Sequence, residues 1–104
     1  MRTTHDAIRA ASAVTGIPMS VITGPSRATK LLSVRVAIAL WGRRNKKTWH
    51  QMGRAMNRDH TTVLHYVMIH GRSANALRIL EGIDQYLEEN RPWHERIRLE
   101  DAHA

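Results

Sequence analysis

The sequence predicts an all-α protein, a compact bundle of five or six helices. Three observations carry that prediction. Apolar residues recur three and four apart along most of the chain, which is the period of one helix face. Glycine, proline and asparagine fall where they cut the chain into pieces of helical length. Almost no stretch alternates apolar with polar residues in the manner of a half-buried strand. At 104 residues there is room for one core rather than two.

The elements follow in order. Asp6 is a helix-capping residue type, and Ile8, Ala11 and Val14 repeat at helical spacing after it until Gly16, with Pro18 just beyond. Pro18 suits the opening of a short second helix through Val21 and Ile22, closed by Gly24 and Pro25. Beyond Ser26, Arg27 and Lys30, the residues Leu31, Val34, Ile38 and Trp41 mark a third helix. Gly42 and the run Arg43, Arg44, Asn45, Lys46, Lys47 end it. Thr48 caps a short helix to Met56, Asn57 and Arg58 make a turn, and Asp59 caps a longer helix to about His70. Gly71, Arg72 and Ser73 interrupt the pattern. A last amphipathic helix, with Leu77, Leu80, Ile83 and Leu87 on one side, stops before Pro92. The expectation is a single helical domain over residues 1–90 and a poorly ordered tail over 91–104.

Composition narrows the function classes. The chain has no cysteine, so it has no disulfide, no thiolate metal site and no thiol nucleophile. Its longest apolar run, Val36 to Trp41, is far short of the roughly 20 residues that span a bilayer. No apolar block of signal-peptide type follows Arg2, and a cytoplasmic, nucleoid-associated location is expected. The net charge of +7 is unevenly spread. Residues 1–80 hold 13 Lys/Arg against Asp6 and Asp59 alone, whereas residues 81–104 hold three arginines against seven acids. A segment so basic suits a polyanion, because neutralised phosphates release condensed counterions. Keeping the protein soluble is the plainer use of the same charges.

Residues 49–66 have a more specific layout, that of a helix-turn-helix within about 48–70. Met52 and Met56 supply the inward face of the first helix, Gly53 is the small residue at a close crossing, and Asn57 tolerates the turn. Val63, Tyr66 and Val67 supply the inward face of the second helix. An ordinary αα-hairpin has the same apolar pattern, so the exposed tips decide. With Asp59 as cap, His60, Thr61 and Thr62 ring the leading end of the second helix, the end that enters a DNA major groove in such motifs. A carboxylate there suits a cytosine amino group; His60 and the Thr61 methyl suit a thymine methyl. Arg58, Thr62 and His65 are placed for phosphates, helped by free amides at the helix start. Asp59 is the only acid between residues 7 and 80. Serine, threonine or asparagine would cap as well without repelling phosphate, so the acid points to a base contact beside its capping role.

The stretch "RDHTTVLH", Arg58 to His65, resembles the signature of the C-terminal DNA-binding domain of the bacterial replication initiator DnaA. The similarity extends more weakly from about Ile8 to Leu87. It implies an all-helical fold with a helix-turn-helix in the major groove, and a basic loop whose arginine enters the neighbouring minor groove of an AT-rich box. By position it assigns base contacts to Asp59, His60 and Thr61. Arg58, Thr62 and His65 then serve the backbone or support the helix, and Thr48, Trp49 and His50 approach phosphate. Arg27 is the implied minor-groove reader, with Lys30 near it; Lys47, in the basic run, joins the phosphate-facing set. The chain departs from the family in having Asn57 alone where two glycines are usual, and fewer arginines in the loop "GPSRATKLLSVR". No G-x-x-x-x-G-K-[ST] appears, so the family's ATPase module is missing from this sequence. The implied role is DNA reading in replication initiation or transcription, without cofactor or metal.

Three other readings compete with DNA recognition. A metal or hydrolytic site would use His60, His65 and His70, but five-residue spacing turns each about 140° from the last, and a zinc helix needs His-x-x-x-His. An adaptor that modulates an initiator or the transcription machinery would use the acidic last helix and Trp93. RNA binding suits the basic face, yet two tyrosines and no phenylalanine make no stacking platform.

Overall fold

The third helix, Thr29–Arg44, is buried on every side: from Val34 to Ala39 no residue is more than 3% exposed. That explains the uninterrupted apolar run, because a helix wrapped all round by neighbours needs no polar face. The computed structural model describes residues 2–90. Within them lie α1 (Thr4–Thr15), α2 (Met19–Ile22), α3 (Thr29–Arg44), α4 (Trp49–Met56), α5 (His60–His70) and α6 (Ala74–Glu89), with no strand among the described residues. The tail expected at 91–104, with Trp93, lies outside the described residues. α3 touches all five other helices, α1 packs along α6, and α4 packs on α5. The chain is therefore an all-helical bundle around α3.

Several boundaries differ from the sequence reading for identifiable reasons. α1 is capped by Thr3 rather than Asp6. Thr3 Oγ1 accepts the Asp6 N–H at 3.2 Å, and Asp6 Oδ2 accepts the Thr3 N–H at 2.8 Å. Asp6 thus closes a capping box from inside the first turn, satisfying two orphan donors instead of one. α3 does not stop at Gly42. This glycine is buried where a Cβ would overlap the side chain of Met52, so it serves the close approach of α4. The helix ends two residues later in a Schellman closure. Lys46 is left-handed at φ 60, its N–H reaches Arg43 O at 3.3 Å, and the Lys47 N–H reaches Gly42 O at 2.9 Å. In α6 the buried row is Ala76, Leu80, Ile83 and Leu87. Leu77 is instead exposed, because it lies roughly 90° around the helix from that row.

The α4–α5 pair follows the sequence reading closely. Thr48 and Gln51 form a capping box at the start of α4. Met52, Gly53 and Met56 are buried on its inner side, and Val63 and Tyr66 on that of α5. Asn57 takes the left-handed conformation at φ 58, and the Arg58 N–H closes the turn on Gly53 O at 2.8 Å. A Cβ on Gly53 would stand 2.6 Å from Arg58 O and 3.3 Å from His60 N, so only glycine allows α5 to start there. This geometry is compatible with a helix-turn-helix.

Candidate nucleic-acid interface

Asp59 is the N-cap of α5, and its carboxylate is occupied on one side. Oδ1 accepts the Thr61 N–H at 2.8 Å and the Thr61 hydroxyl at 2.5 Å. The hydroxyl and then the amide of Thr61 hold this carboxyl below its ordinary range, with His60 and His50 adding to the effect. Oδ2 has no hydrogen bond among the described residues, so it is the atom left to accept from a ligand. Thr61 is exposed but spends its donor on Asp59, leaving its methyl and lone pairs outward. His60 is exposed, with Nδ1 3.5 Å from Asp59 Oδ1. Its ring stacks on His50 of α4, with centroids 4.1 Å apart and planes 18° off parallel. The three residues expected to meet bases in the major groove therefore share one surface tip, to which His50 also belongs, while Arg27, the expected minor-groove reader, lies on the loop before α3.

The backbone-facing candidates divide. His65, Lys30, Thr48 and His50 are exposed, and Thr62, Lys47 and Trp49 are half-buried. Thr48 gives its side-chain oxygen to the Gln51 N–H at 3.0 Å. Trp49 packs against the core beneath the Arg43 guanidinium, 5.3 Å from its ring, so part of its surface serves the fold. Lys47 lines a cleft of about 380 Å³ beside Thr3, His5, Gln51 and Arg54, on the α1 side of α4.

Arg58, expected to face phosphate or to support the helix, spends two of its donors within the fold. Its Nη1 donates to Asn57 O at 3.0 Å and its Nη2 to Gly24 O, in the loop that carries Arg27. Gly24 O also accepts from Arg35 Nη2 at 3.0 Å. Arg35 went unnoticed in the sequence. It is 3% exposed and further donates to Ile22 O at 2.8 Å, Ser26 O at 2.6 Å and Val21 O at 3.3 Å. Burial, and then the neighbouring Arg58 charge, push its pKa down. The available signal was a lone cation among the apolar residues between Lys30 and Arg43. Together the two arginines tie the Val21–Ser26 segment to α3 and to the α4–α5 turn. Between loop and α5 lies an open cleft of about 520 Å³, whose lining includes Arg27, Arg35, Arg58, Thr29, Thr62 and Tyr66 and no carboxylate. The fold thus brings Arg27, Arg58 and Thr62 to one cleft.

Among the described residues no group of three histidines, cysteines or acids is placed to hold a metal ion; His60, His65 and His70 do not converge. No helix among them is long and apolar enough to cross a membrane. No family model, no curated protein and no solved structure matches this chain.

Proposed function

We propose that this chain reads duplex DNA, with the leading end of α5 in the major groove and the Arg27 loop in the neighbouring minor groove. Asp59, His60 and Thr61 meet base edges. Thr62, His65, Lys30, Lys47, Thr48, Trp49 and His50 face the backbone, and Arg58 holds the loop against the recognition helix. One observation carries the reading: an exposed helix start with the only acid between residues 7 and 80, set in a segment with 13 basic residues. Phosphates supply the affinity and the tip supplies the choice of sequence. The DnaA-like stretch Arg58 to His65 supports a box-like site and a role in replication initiation or transcription, exercised without an ATPase motif in this sequence.

Selection of preferred sites from a random duplex library tests the proposal. On the selected site, Asp59→Asn, which keeps the cap but replaces one acceptor by a donor, is expected to weaken binding about tenfold or more. His60→Ala should do the same. Both should bind random duplex nearly as well as the parent. Lys47→Ala should weaken both duplexes alike and flatten the dependence of affinity on salt. If all three variants act equally on every sequence, α5 does not read bases.

A further inference from the structure

His60 is held from two directions at the first position of α5. The stack on His50 fixes the plane of the imidazole but leaves two states, related by a half-turn about the Cβ–Cγ bond. The Asp59 carboxylate lies 3.5 Å from Nδ1 without a hydrogen bond to it, its Oδ1 already accepting from Thr61, and its charge favours the orientation that puts a protonated nitrogen on its side. Asp59 is itself fixed by Thr61, through bonds of 2.8 and 2.5 Å to one oxygen. A neutral imidazole with its proton on Nδ1 carries a lone pair on Nε2. That nitrogen has no hydrogen-bond partner among the described residues, and the side chain is 45% exposed.

Resting on the DNA reading above, we propose that His50 and Asp59 set His60 as a hydrogen-bond acceptor for an exocyclic amino group in the major groove, adenine N6 or cytosine N4. Guanine and thymine present acceptors at the corresponding edge and are refused there. His50 is then a positioning residue for sequence choice, working through the ring it covers rather than through phosphate alone. The tip then presents two acceptors, His60 Nε2 and Asp59 Oδ2, beside the Thr61 methyl and lone pairs.

The test starts from the selected duplex. Each adenine is replaced in turn by purine and each cytosine by 2-pyrimidinone, both lacking the amino group. Binding is followed by fluorescence anisotropy at about pH 8. One replacement is expected to weaken the parent about tenfold and to leave His60→Ala unaffected. His50→Ala should lose most of that dependence, while His50→Phe, which keeps a stacked ring, should retain it. In the free protein, the His60 ring protons should carry a ring-current displacement that His50→Ala removes and His50→Phe keeps. The inference is overturned alone if a preferred duplex exists but no amino group couples to His60, or if the coupling survives His50→Ala. A library with no preferred duplex overturns the DNA reading and the inference together.

Discussion

Arg35 is a cation inside a helical core, and the carbonyls of Val21, Ile22, Gly24 and Ser26 accept from it. Replacing it by methionine keeps much of the volume but takes the donor from Ile22 O and Ser26 O, while Gly24 O keeps Arg58 and Val21 O keeps the Gly24 N–H. A loss of about 3 kcal/mol is expected, read as a fall of more than about 10 °C in a circular-dichroism melt. Arg35→Lys should recover only part of it, since one ammonium cannot fork to several carbonyls. An unchanged melt for Arg35→Met would show that water serves those carbonyls equally well. Nothing in the spacing of "LLSVRVAIALW" reveals this role, because the partners come from an irregular segment whose path periodicity does not describe. Asp6 is the opposite case, a local pattern with a local consequence. The Thr3 N–H holds its carboxyl below the usual range. The stability it contributes is present above the ordinary carboxylate pKa and is lost as pH falls through the depressed one. Urea unfolding between about pH 5 and pH 2 should therefore show a steeper acid-side decline for the parent than for Asp6→Asn.

At the scale of elements, what the chain specifies locally was legible and what depends on a neighbour was not. Thr48, Asp59 and Asn57 declare the ends of α4 and α5 through chemistry contained within a few residues, and the structure uses them so. Leu77 and Gly42 were misplaced because their meaning is set by other helices: which side of α6 faces α1 and α3, and where Met52 crosses α3. The exposed tip at Asp59, His60 and Thr61 was legible from its cap, but the stack with His50 was not, since it depends on how α4 and α5 cross. Gly53 controls that crossing. Gly53→Ala would gain helix propensity in α4, yet its methyl would press on Arg58 O and the His60 amide, both backbone atoms. Overpacking against backbone is expected to outweigh propensity and cost about 1–3 kcal/mol. Because α5 must shift away, the His60 ring-current displacement should fall as well. A variant that melts at or above the parent temperature with the stack intact would mean that the turn relaxes freely.

Across the whole molecule, a basic body carries an acidic last helix, and the two proposed reading parts sit on different segments of chain. α5 arrives from the α4 turn and Arg27 from the loop before α3, so their spacing is set by tertiary contacts alone. The Arg58 bond to Gly24 O joins them directly, and Arg35 grips the same carbonyl from below. In the proposed DNA reading, Arg58 is then a spacer between the two grooves more than one phosphate charge among many. Charge and geometry can be separated by Arg58→Lys, which keeps the cation but loses the planar fork that spans Asn57 O and Gly24 O. The salt dependence of binding should stay as steep as in the parent, since the number of cations is unchanged. Affinity for the selected site should nonetheless fall, and discrimination on the minor-groove side should fall with it. In a cycle with Arg27→Ala, the two changes are expected to be non-additive by about 1 kcal/mol, because a loop that has lost its tether gains less from its arginine. Additivity within a few tenths would mean that the loop finds the minor groove without help from the helix pair.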